Sequence, residues 1–265
     1  MVGYTGLAAL GHAAFSCVGA YVSALLALNY GISPWLGIIA AASGAALVGT
    51  AIAIPALRLR GDYLALATLG FAAIVYSIAK NWADITRGPL GLPGIPSFTV
   101  LGYSLTGGWS FLLILTSAIL LTTLVIDRIV TSPFGLILRG IREEEIATFT
   151  MGKNVKRFKI TVFVVGAFFA GAAGSLYAHY TSFIDPSSFT IMESITILLM
   201  VVFGGMGTLR GSFIGAITLV VLPELLRFVG LPSSVAAPLR QMIYGLLLVI
   251  LMIKRPQGIF GKYRF

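Results

Sequence analysis

Charged residues are scarce in this chain. Of its 265 residues only 18 are Lys or Arg and 9 are Asp or Glu, and the mean hydropathy is +0.98. A soluble globular domain carries about 25% charged residues, so these charges are too few to cover a surface that faces water. The alternating pattern of membrane strands is missing as well. The sequence therefore predicts an all-α polytopic membrane protein.

Cysteine and catalytic motifs are equally scarce. The single cysteine, Cys17, excludes an intramolecular disulfide. The chain has no His-Glu-x-x-His, Gly-x-Ser-x-Gly or Cys-x-x-Cys pattern, and the Gly-Lys pair at Gly152 is not part of a phosphate-binding loop. We therefore expect no enzyme, no metal site and no cofactor, and any ATP hydrolysis must occur on another subunit. A charged region before a short apolar stretch is also missing, so we expect no cleaved signal peptide.

The net charge of +9 does not indicate a nucleic acid partner. The basic residues lie between long apolar runs rather than on a polar domain. Such an excess is typical of membrane proteins whose cytoplasmic loops collect Lys and Arg.

Long apolar runs are the main feature that is present. A helix needs about 20 apolar residues, with a range of roughly 17–25, to cross the hydrocarbon layer, and most of the runs qualify. The pattern predicts about eight transmembrane helices in one transmembrane domain that covers residues 1–265. The runs are Leu7–Leu28, Trp35–Leu57, Tyr63–Ala79, Trp109–Ile126, Ile160–Phe183, Ile191–Phe203, Ser212–Val229 and Leu239–Ile253.

The distribution of basic residues predicts the orientation. Residues 134–159 hold six Lys and Arg, and four more follow Ile253, so both regions should be cytoplasmic. An even number of crossings must separate them, which requires the short run Ile191–Phe203 to cross. We expect it to do so by continuing through a glycine-rich, broken helix toward Arg210. Such backbone is tolerated at membrane depth only where protein or a water-filled cavity surrounds it.

The same alternation places both termini in the cytoplasm, the long 80–108 loop outside, and the 127–159 loop inside. Pro and Gly in the outside loop should prevent a long helix there. No basic residue precedes the first run. Either Arg58 and Arg60 orient the first pair of helices, or further helices precede this chain.

Few ionisable residues lie in or near the predicted spans. They are His12, His179, Asp185, Glu193 and Glu224. Carriers that are driven by ions run relays of such residues through the membrane midplane, so any energy for transport should enter from another subunit. The sequence indicates an interfacial position for His179 and a structural turn at Asp185.

The cytoplasmic stretch 134–159 is the exception to the scarcity of charge, with nine charged residues in 26. Ser132 and Pro133 suit the start of a helix, and Gly152 suits its end. Apolar residues between them predict a short amphipathic helix at the membrane surface. Such a helix can dock in a partner's groove or lie on anionic lipid, and the pattern alone favours neither.

Five stretches resemble those of a known family. LRGIREEEIATFTMGKNVKRFKITVFVVGAFFAGAAGSLYAHYTSFIDPSSF, GYTGLAALGHAAFSCVGAY, LRLRGDYLALATLGFAAI, SITILLMVVFGGMGTLRGSFIGA and RPQGIFG are similar to LivM-type permeases. These are membrane subunits of branched-chain amino acid ABC importers. The resemblance covers nearly the whole chain and implies the fold of an ABC importer permease.

The resemblance also implies a role for the charged loop. In the family this loop holds the coupling helix, which contacts an ATPase subunit. Glu144 stands where the family usually has Asn, and Thr148 where it usually has a second Ala. The residues assigned to coupling are Arg139, Arg142, Glu143, Glu144, Glu145, Ala147 and Gly152.

The family implies the remaining parts of an importer. These are a second, related permease, two ABC ATPases and a periplasmic binding protein that delivers an amino acid. The resemblance also implies that the importer lies in the lipid of a bacterial inner (plasma) membrane. A homologous importer for urea, short amides or other amino acids is the alternative. An autonomous channel or carrier is disfavoured by the nearly uncharged midplane, and a membrane enzyme by the missing motifs.

The substrate pathway should lie between the two permeases. The first candidate is the glycine run at Gly204, Gly205 and Gly207, whose freed backbone groups can line a route. The alternative is a turn that only joins two helices. Weaker candidates are His12 and Phe15 in GLAALGHAAF, and Glu193 near the outer mouth.

Overall fold

The structure, a computed structural model, describes residues 2–7, 9–59, 61–100, 103–104, 108–227, 242, 245–246, 249, 258–259 and 261. These residues are mostly helical. Two compact units are present: the first covers Thr5–Ser194, and the second covers Val2–Tyr4 together with the chain from Ile195 onward.

Eleven α-helices follow one another in the described part of the chain. They are α1 (Val2–Thr5), α2 (His12–Tyr30), α3 (Pro34–Ala56), α4 (Asp62–Asn81), α5 (Ala83–Thr86), α6 (Gly108–Thr131), α7 (Pro133–Glu143), α8 (Glu145–Thr150), α9 (Val155–Thr181), α10 (Ile191–Gly204) and α11 (Leu209–Arg227). Two 3₁₀ helices, η1 (Gly88–Leu90) and η2 (Pro186–Phe189), lie between them.

Six helical segments among the described residues are long and apolar enough to cross a membrane. They are His12–Tyr30, Pro34–Ala56, Asp62–Asn81, Gly108–Thr131, Val155–Thr181 and Pro186–Gly204. Helix α11 adds a shorter apolar stretch, Leu209–Val221, where a seventh span is predicted. The predicted span Leu239–Ile253 lies outside the described residues except at four helical positions, Met242, Gly245, Leu246 and Val249.

The prediction of a helix from Leu7 is wrong at its beginning. Residues 6–11 are not helical where they are described, and Gly6 has a φ of +67°, which favours glycine. The backbone N–H of Leu10 donates to the Thr68 hydroxyl on α4 at 2.9 Å. Counting apolar residues cannot detect such a break, because side chains from distant helices supply the hydrogen bonds.

Helices α2, α3 and α9 form the centre of the first unit through very small residues. A Cβ atom placed on Gly19 of α2 would lie 2.2 Å from the Gly171 carbonyl oxygen of α9. A Cβ atom on Gly171 would in turn lie 2.4 Å from the Cβ atom of Ala45 on α3. The backbones of α2 and α9 therefore touch without side chains between them, which small residues allow.

Helices α2 and α9 run parallel but begin at different levels. Gly19 lies against Gly171 and Ser23 against Ser175, two pairs with the same separation in sequence. On this register, the first residue of α2 is level with Val164 of α9. Helix α9 begins nine residues earlier, at Val155, so it extends about 13 Å beyond the start of α2 at 1.5 Å per residue.

Short strands of two residues each join the loops between the helices, and the described residues remain mostly helical. Strand β1 (Leu92–Pro93) pairs antiparallel with β4 (Phe183–Ile184), with Leu92 opposite Ile184. Strands β2 (Thr99–Val100) and β3 (Tyr103–Ser104) form a small hairpin. The 80–108 loop contains no long helix among its described residues, as its Pro and Gly predicted. These bridges supply partners to loop backbone that helices do not.

The prediction that the Ile191–Phe203 span continues through the glycine run is wrong. Helix α10 ends at Gly204, and the span gains its length at its other end, from the 3₁₀ helix η2. The φ angles of Gly205 (+114°) and Gly207 (+80°) stop the helix. Residues 205–208 are a connector to α11.

Candidate functional site

The charged loop forms two helices rather than the single one predicted. Helix α7 ends and α8 begins at Glu144, whose backbone is extended, with φ −148° and ψ 101°. Pro133 occupies the first turn of α7 as expected, but the hydroxyl of Ser132 donates to the carbonyl of Ile129 instead of capping α7. Gly152, with a φ of +79°, follows the end of α8, which confirms the predicted stop.

Helices α7 and α8 are held against the first unit and against each other. Leu138 and Ile141 are buried. Gly135 fits closely over α6, because a Cβ atom there would lie 2.0 Å from the Val130 carbonyl oxygen. The buried Thr148 of α8 lies beside α7, with its hydroxyl 3.0 Å from the Cβ position of Gly140.

Four large apolar side chains of this loop are exposed, and we call them together the docking face. Its members and their exposed fractions are Leu136 (69%), Ile146 (67%), Phe149 (68%) and Met151 (78%). A loop that served only to reverse the chain would have no reason to expose four such residues. Clustered exposed apolar residues mark a surface that contacts another protein or a membrane.

The coupling residues predicted from the sequence alternate along the chain with the residues of the docking face. Glu143 and Glu144 are exposed where α7 meets α8, and Ala147 and Gly152 are exposed beside the apolar residues. Arg139 and Arg142 are half-buried. The Cγ atom of Arg142 lies 3.7 Å from the Cβ position of Gly6, so this side chain reaches the break before α2.

Glu145 differs from the other acidic residues of the loop because it faces the protein. Its carboxylate lies 2.8 Å from the ammonium group of Lys159 in the second turn of α9. The Lys159 residue is only 8% exposed. The sequence grouped Glu145 with surface residues, because an ion pair to a residue fourteen positions away leaves no recognisable spacing.

The glycine run predicted to line the pathway is packed against backbone within the second unit. A Cβ atom on Gly204 would lie 1.8 Å from the Gly211 carbonyl oxygen, so α10 and α11 form a tight hairpin. A Cβ atom on Gly258 would lie 2.5 Å from the Cα atom of Gly205, and one on Gly3 would lie 2.1 Å from the nitrogen of Gly207. Close packing thus accounts for these glycines.

The remaining pathway candidates lie in different surroundings. Phe15 is buried between Phe71 and Phe163, with ring centroids at 5.4 and 5.6 Å. His12 is half-buried at the first position of α2, and Glu193 is exposed in the first turn of α10.

A hydrogen bond brings the neighbours of His12 and Glu193 together. The hydroxyl of Ser194 accepts from the backbone N–H of Ala13 at 3.0 Å. His12 and Glu193 therefore flank the point where α10 caps α2, whereas Phe15 belongs to the core.

Sequence reasoning missed a buried polar network that joins α2, α9 and the 80–108 loop. The expectation of an interfacial His179 is wrong, since this residue is 1% exposed. Its Nε2 atom lies 2.8 Å from the Ser23 hydroxyl, which is 2.8 Å from the Ser175 hydroxyl. Its Nδ1 atom lies 2.6 Å from the Pro96 carbonyl oxygen.

The partners of His179 determine where its proton lies. A carbonyl oxygen only accepts hydrogen bonds, so Nδ1 carries the proton and Nε2 accepts from Ser23. Ser23 and Ser175 lie among other small residues of α2 and α9, where close helix packing accounts for them, so their spacing does not indicate a polar network.

Asp185 has the structural role that the sequence predicted. Its carboxylate accepts hydrogen bonds from the hydroxyls of Ser187 and Ser188 and from the backbone N–H of Ser188, which caps η2. Partial burial alone would raise the pKa of Asp185, but the hydrogen bonds outweigh it and lower the pKa below its ordinary value.

Residues 1–252 match a protein family described as branched-chain amino acid transport system / permease component. Three relatives illustrate the similarity. The LivM permease of the high-affinity branched-chain amino acid transport system of Escherichia coli (strain K12) is 38% identical over 287 aligned positions, which cover 100% of this chain and 66% of the relative. This chain thus spans about two thirds of that relative's length.

Two more distant relatives have different descriptions. A probable branched-chain amino acid permease, LivM, of Methanocaldococcus jannaschii is 28% identical over 86% of this chain and 68% of its own length. The guanosine ABC transporter permease NupQ of Bacillus subtilis (strain 168) is 29% identical over 76% of this chain and 67% of its own length. No solved structure matches the chain significantly.

Proposed function

Because the chain belongs to the family of branched-chain amino acid transport permease components, we propose that it is the membrane-spanning permease subunit of an ABC importer for branched-chain amino acids. It couples ATP hydrolysis on separate subunits to movement of the substrate. The observation that carries the coupling role is the docking face, exposed on a loop whose helices α7 and α8 also bury Leu138, Ile141 and Thr148.

The relatives support this substrate class over the alternative importers for urea, short amides or other amino acids. The E. coli LivM permease is 38% identical, whereas the guanosine permease NupQ is 29% identical over a smaller part of the chain. In such importers a separate binding protein contributes to selectivity, so a substrate assay must include it.

A protein partner suits the docking face better than lipid does. Glu143 and Glu144 are exposed beside the apolar residues, and these carboxylates would be repelled by an anionic membrane surface. A groove on an ATPase subunit can instead receive the apolar side chains and pair with the carboxylates. We therefore assign Arg139, Arg142, Glu143, Glu144, Ala147 and Gly152 to the coupling site around this face.

The proposed assembly contains a second related permease, two ATPases, a periplasmic binding protein and the surrounding lipid of the inner membrane. In this chain we infer about eight transmembrane helices in one permease domain, with both termini and the 127–159 loop in the cytoplasm. Six segments that can span the membrane and the excess of Lys and Arg in this loop support the arrangement.

For the pathway, we propose that His12 and Glu193 line the route. Half-buried His12 and exposed Glu193 lie on either side of the hydrogen bond from Ala13 to Ser194. Phe15 and the glycines at 204, 205 and 207 support the route by packing around it. Replacing His12 by Ala should raise the substrate concentration for half-maximal uptake without loss of folded protein.

The coupling role is tested by removing the docking face. Ile146→Ser and Phe149→Ser should each weaken binding of the co-expressed ATPase subunits about tenfold, since a central apolar contact typically contributes about 1.4 kcal/mol or more. Leu90→Ser is the matched control, because Leu90 is also a large, exposed apolar residue but lies in the 80–108 loop, which we place outside the cell. Unchanged co-purification of the ATPases with both loop variants would refute the docking role.

A further inference from the structure

We infer that the ion pair between Glu145 and Lys159 is the link that transmits movement of the docking helices to the core of the permease. Both residues are positioning residues, and Glu145 acts inside the subunit rather than on the ATPase surface. The inference rests on the proposed coupling function and assigns within it a task to Lys159, which no sequence pattern singled out.

Lys159 is a buried charged residue. Its ammonium group lies 2.8 Å from the carboxylate of Glu145, and the exposed fractions of the two side chains are 10% and 37%. A buried lysine needs a compensating partner, because removal of its charge from water is unfavourable. Glu145 must therefore follow Lys159, or Lys159 must follow Glu145, when either helix moves.

A short turn connects α8 to α9 along the chain. Only residues 151–154 join these helices, and Gly152 has a φ of +79° with no atom within 4 Å of its Cβ position. Such an open glycine turn can bend. Without a contact across it, rotation of α8 would be absorbed by this turn and would not reach α9.

Helices α7 and α8 contact α9 in different ways. Helix α7 contacts α9 through the rings of Phe134 and Phe158, whose centroids are 5.1 Å apart. Helix α8 carries Ile146 and Phe149 of the docking face, and the ion pair joins this helix to α9. Ring contacts permit sliding, whereas a charged hydrogen bond at 2.8 Å fixes one atom to another.

Helix α9 runs from Lys159 into the centre of the first unit. Lys159 is one turn from the start of α9, and further along α9 the backbone of Gly171 touches α2 and α3. A displacement applied at Lys159 is therefore delivered to the three central helices.

The test uses the complete importer in liposomes, with its binding protein and leucine as substrate. Lys159→Met removes the charge and keeps the length of the side chain. We expect the ATPases to remain bound and ATP hydrolysis to continue, while stimulation by leucine falls to near the unstimulated rate. Lys159→Arg should retain stimulation, and the exchange Glu145→Lys with Lys159→Glu should recover most of it.

The outcomes separate this inference from the docking proposal. If Lys159→Met only lowers the melting temperature and leaves stimulation unchanged, the pair is structural and the inference is overturned. If the exchanged pair folds but fails to recover stimulation, the inference is overturned as well. Failure of the unaltered permease to bind the ATPases would instead refute the docking proposal, on which the inference depends.

Discussion

At the scale of single residues, the histidine buried between α2 and α9 connects the membrane helices to the 80–108 loop. Each donor in the chain from Ser175 to Ser23, His179 and the Pro96 carbonyl has one acceptor. A fully satisfied buried network of this kind holds its members in one arrangement. The loop is therefore fixed to the helices by polar contacts as well as by strand pairing.

Replacing Ser23 by Ala tests this network. The change leaves Nε2 of His179 buried without a donor, which should cost about 1–3 kcal/mol and lower the melting temperature by about 2–4 °C per kcal/mol. Thr123→Ala is the control, because this exposed hydroxyl bonds only to a carbonyl of its own helix, that of Ile119. Equal melting temperatures for both variants and the unaltered protein would contradict the role of the network.

At the scale of elements, glycine determines how closely helices approach. Gly204 faces the Gly211 carbonyl in the α10–α11 hairpin, and Gly171 faces Gly19 across α2 and α9. Gly70 of α4 is different, because no atom lies within 4 Å of its Cβ position. One residue type thus has opposite consequences at buried and open helix positions.

The hairpin is tested by adding one methyl group. Gly204→Ala should reduce the yield of folded protein, since overpacking typically costs about 1–3 kcal/mol, and uptake should fall in proportion to the yield. Gly70→Ala should be neutral or slightly stabilising, because Ala favours helix by about 1 kcal/mol. A normal yield of Gly204→Ala combined with loss of uptake would instead favour a direct role of this glycine in the pathway.

At the scale of the whole molecule, the arrangement of charge predicts which loops face the cell interior. Basic residues are concentrated in the 127–159 loop, whereas Lys80 and Arg87 are the two in the 80–108 loop. Leu90 is 82% exposed and Lys153 is exposed as well. These two exposed positions therefore suit a labelling experiment.

Cysteine labelling in intact cells measures this orientation. In a Cys17→Ala background, an impermeant thiol reagent should label Leu90→Cys and should leave Lys153→Cys unlabelled until the cells are opened. The replacement at Cys17 suits its apolar surroundings. Labelling of Lys153→Cys from outside intact cells would overturn the topology.

Sequence reasoning identified the regular elements well and their interruptions poorly. The spans at Trp35–Leu57, Tyr63–Ala79, Trp109–Ile126 and Ile160–Phe183 each correspond to a helix, because a long apolar run specifies one directly. The start of α2 depends on a contact with a distant residue, which an apolar run cannot indicate. Thr68 satisfies the Leu10 backbone from 58 positions away.

The candidate site divides in the same way. Charge and apolar spacing predicted helical structure in the 134–159 stretch, and the helix end at Gly152 follows from local backbone preference. The inward direction of Glu145 and the burial of His179 could not be predicted, since both depend on which helices become neighbours.

The contacts among α2, α3 and α9 limit how this protein can change shape. Where backbone meets backbone, as at Gly19 and Gly171, there are no side-chain rotamers to exchange, so the three helices cannot repack against one another. We therefore expect the three helices to move together as one rigid body during transport. The length of this body is that of α9, about 40 Å for 27 residues at 1.5 Å each. A small tilt applied near Lys159 therefore becomes a displacement of several ångströms at the opposite end.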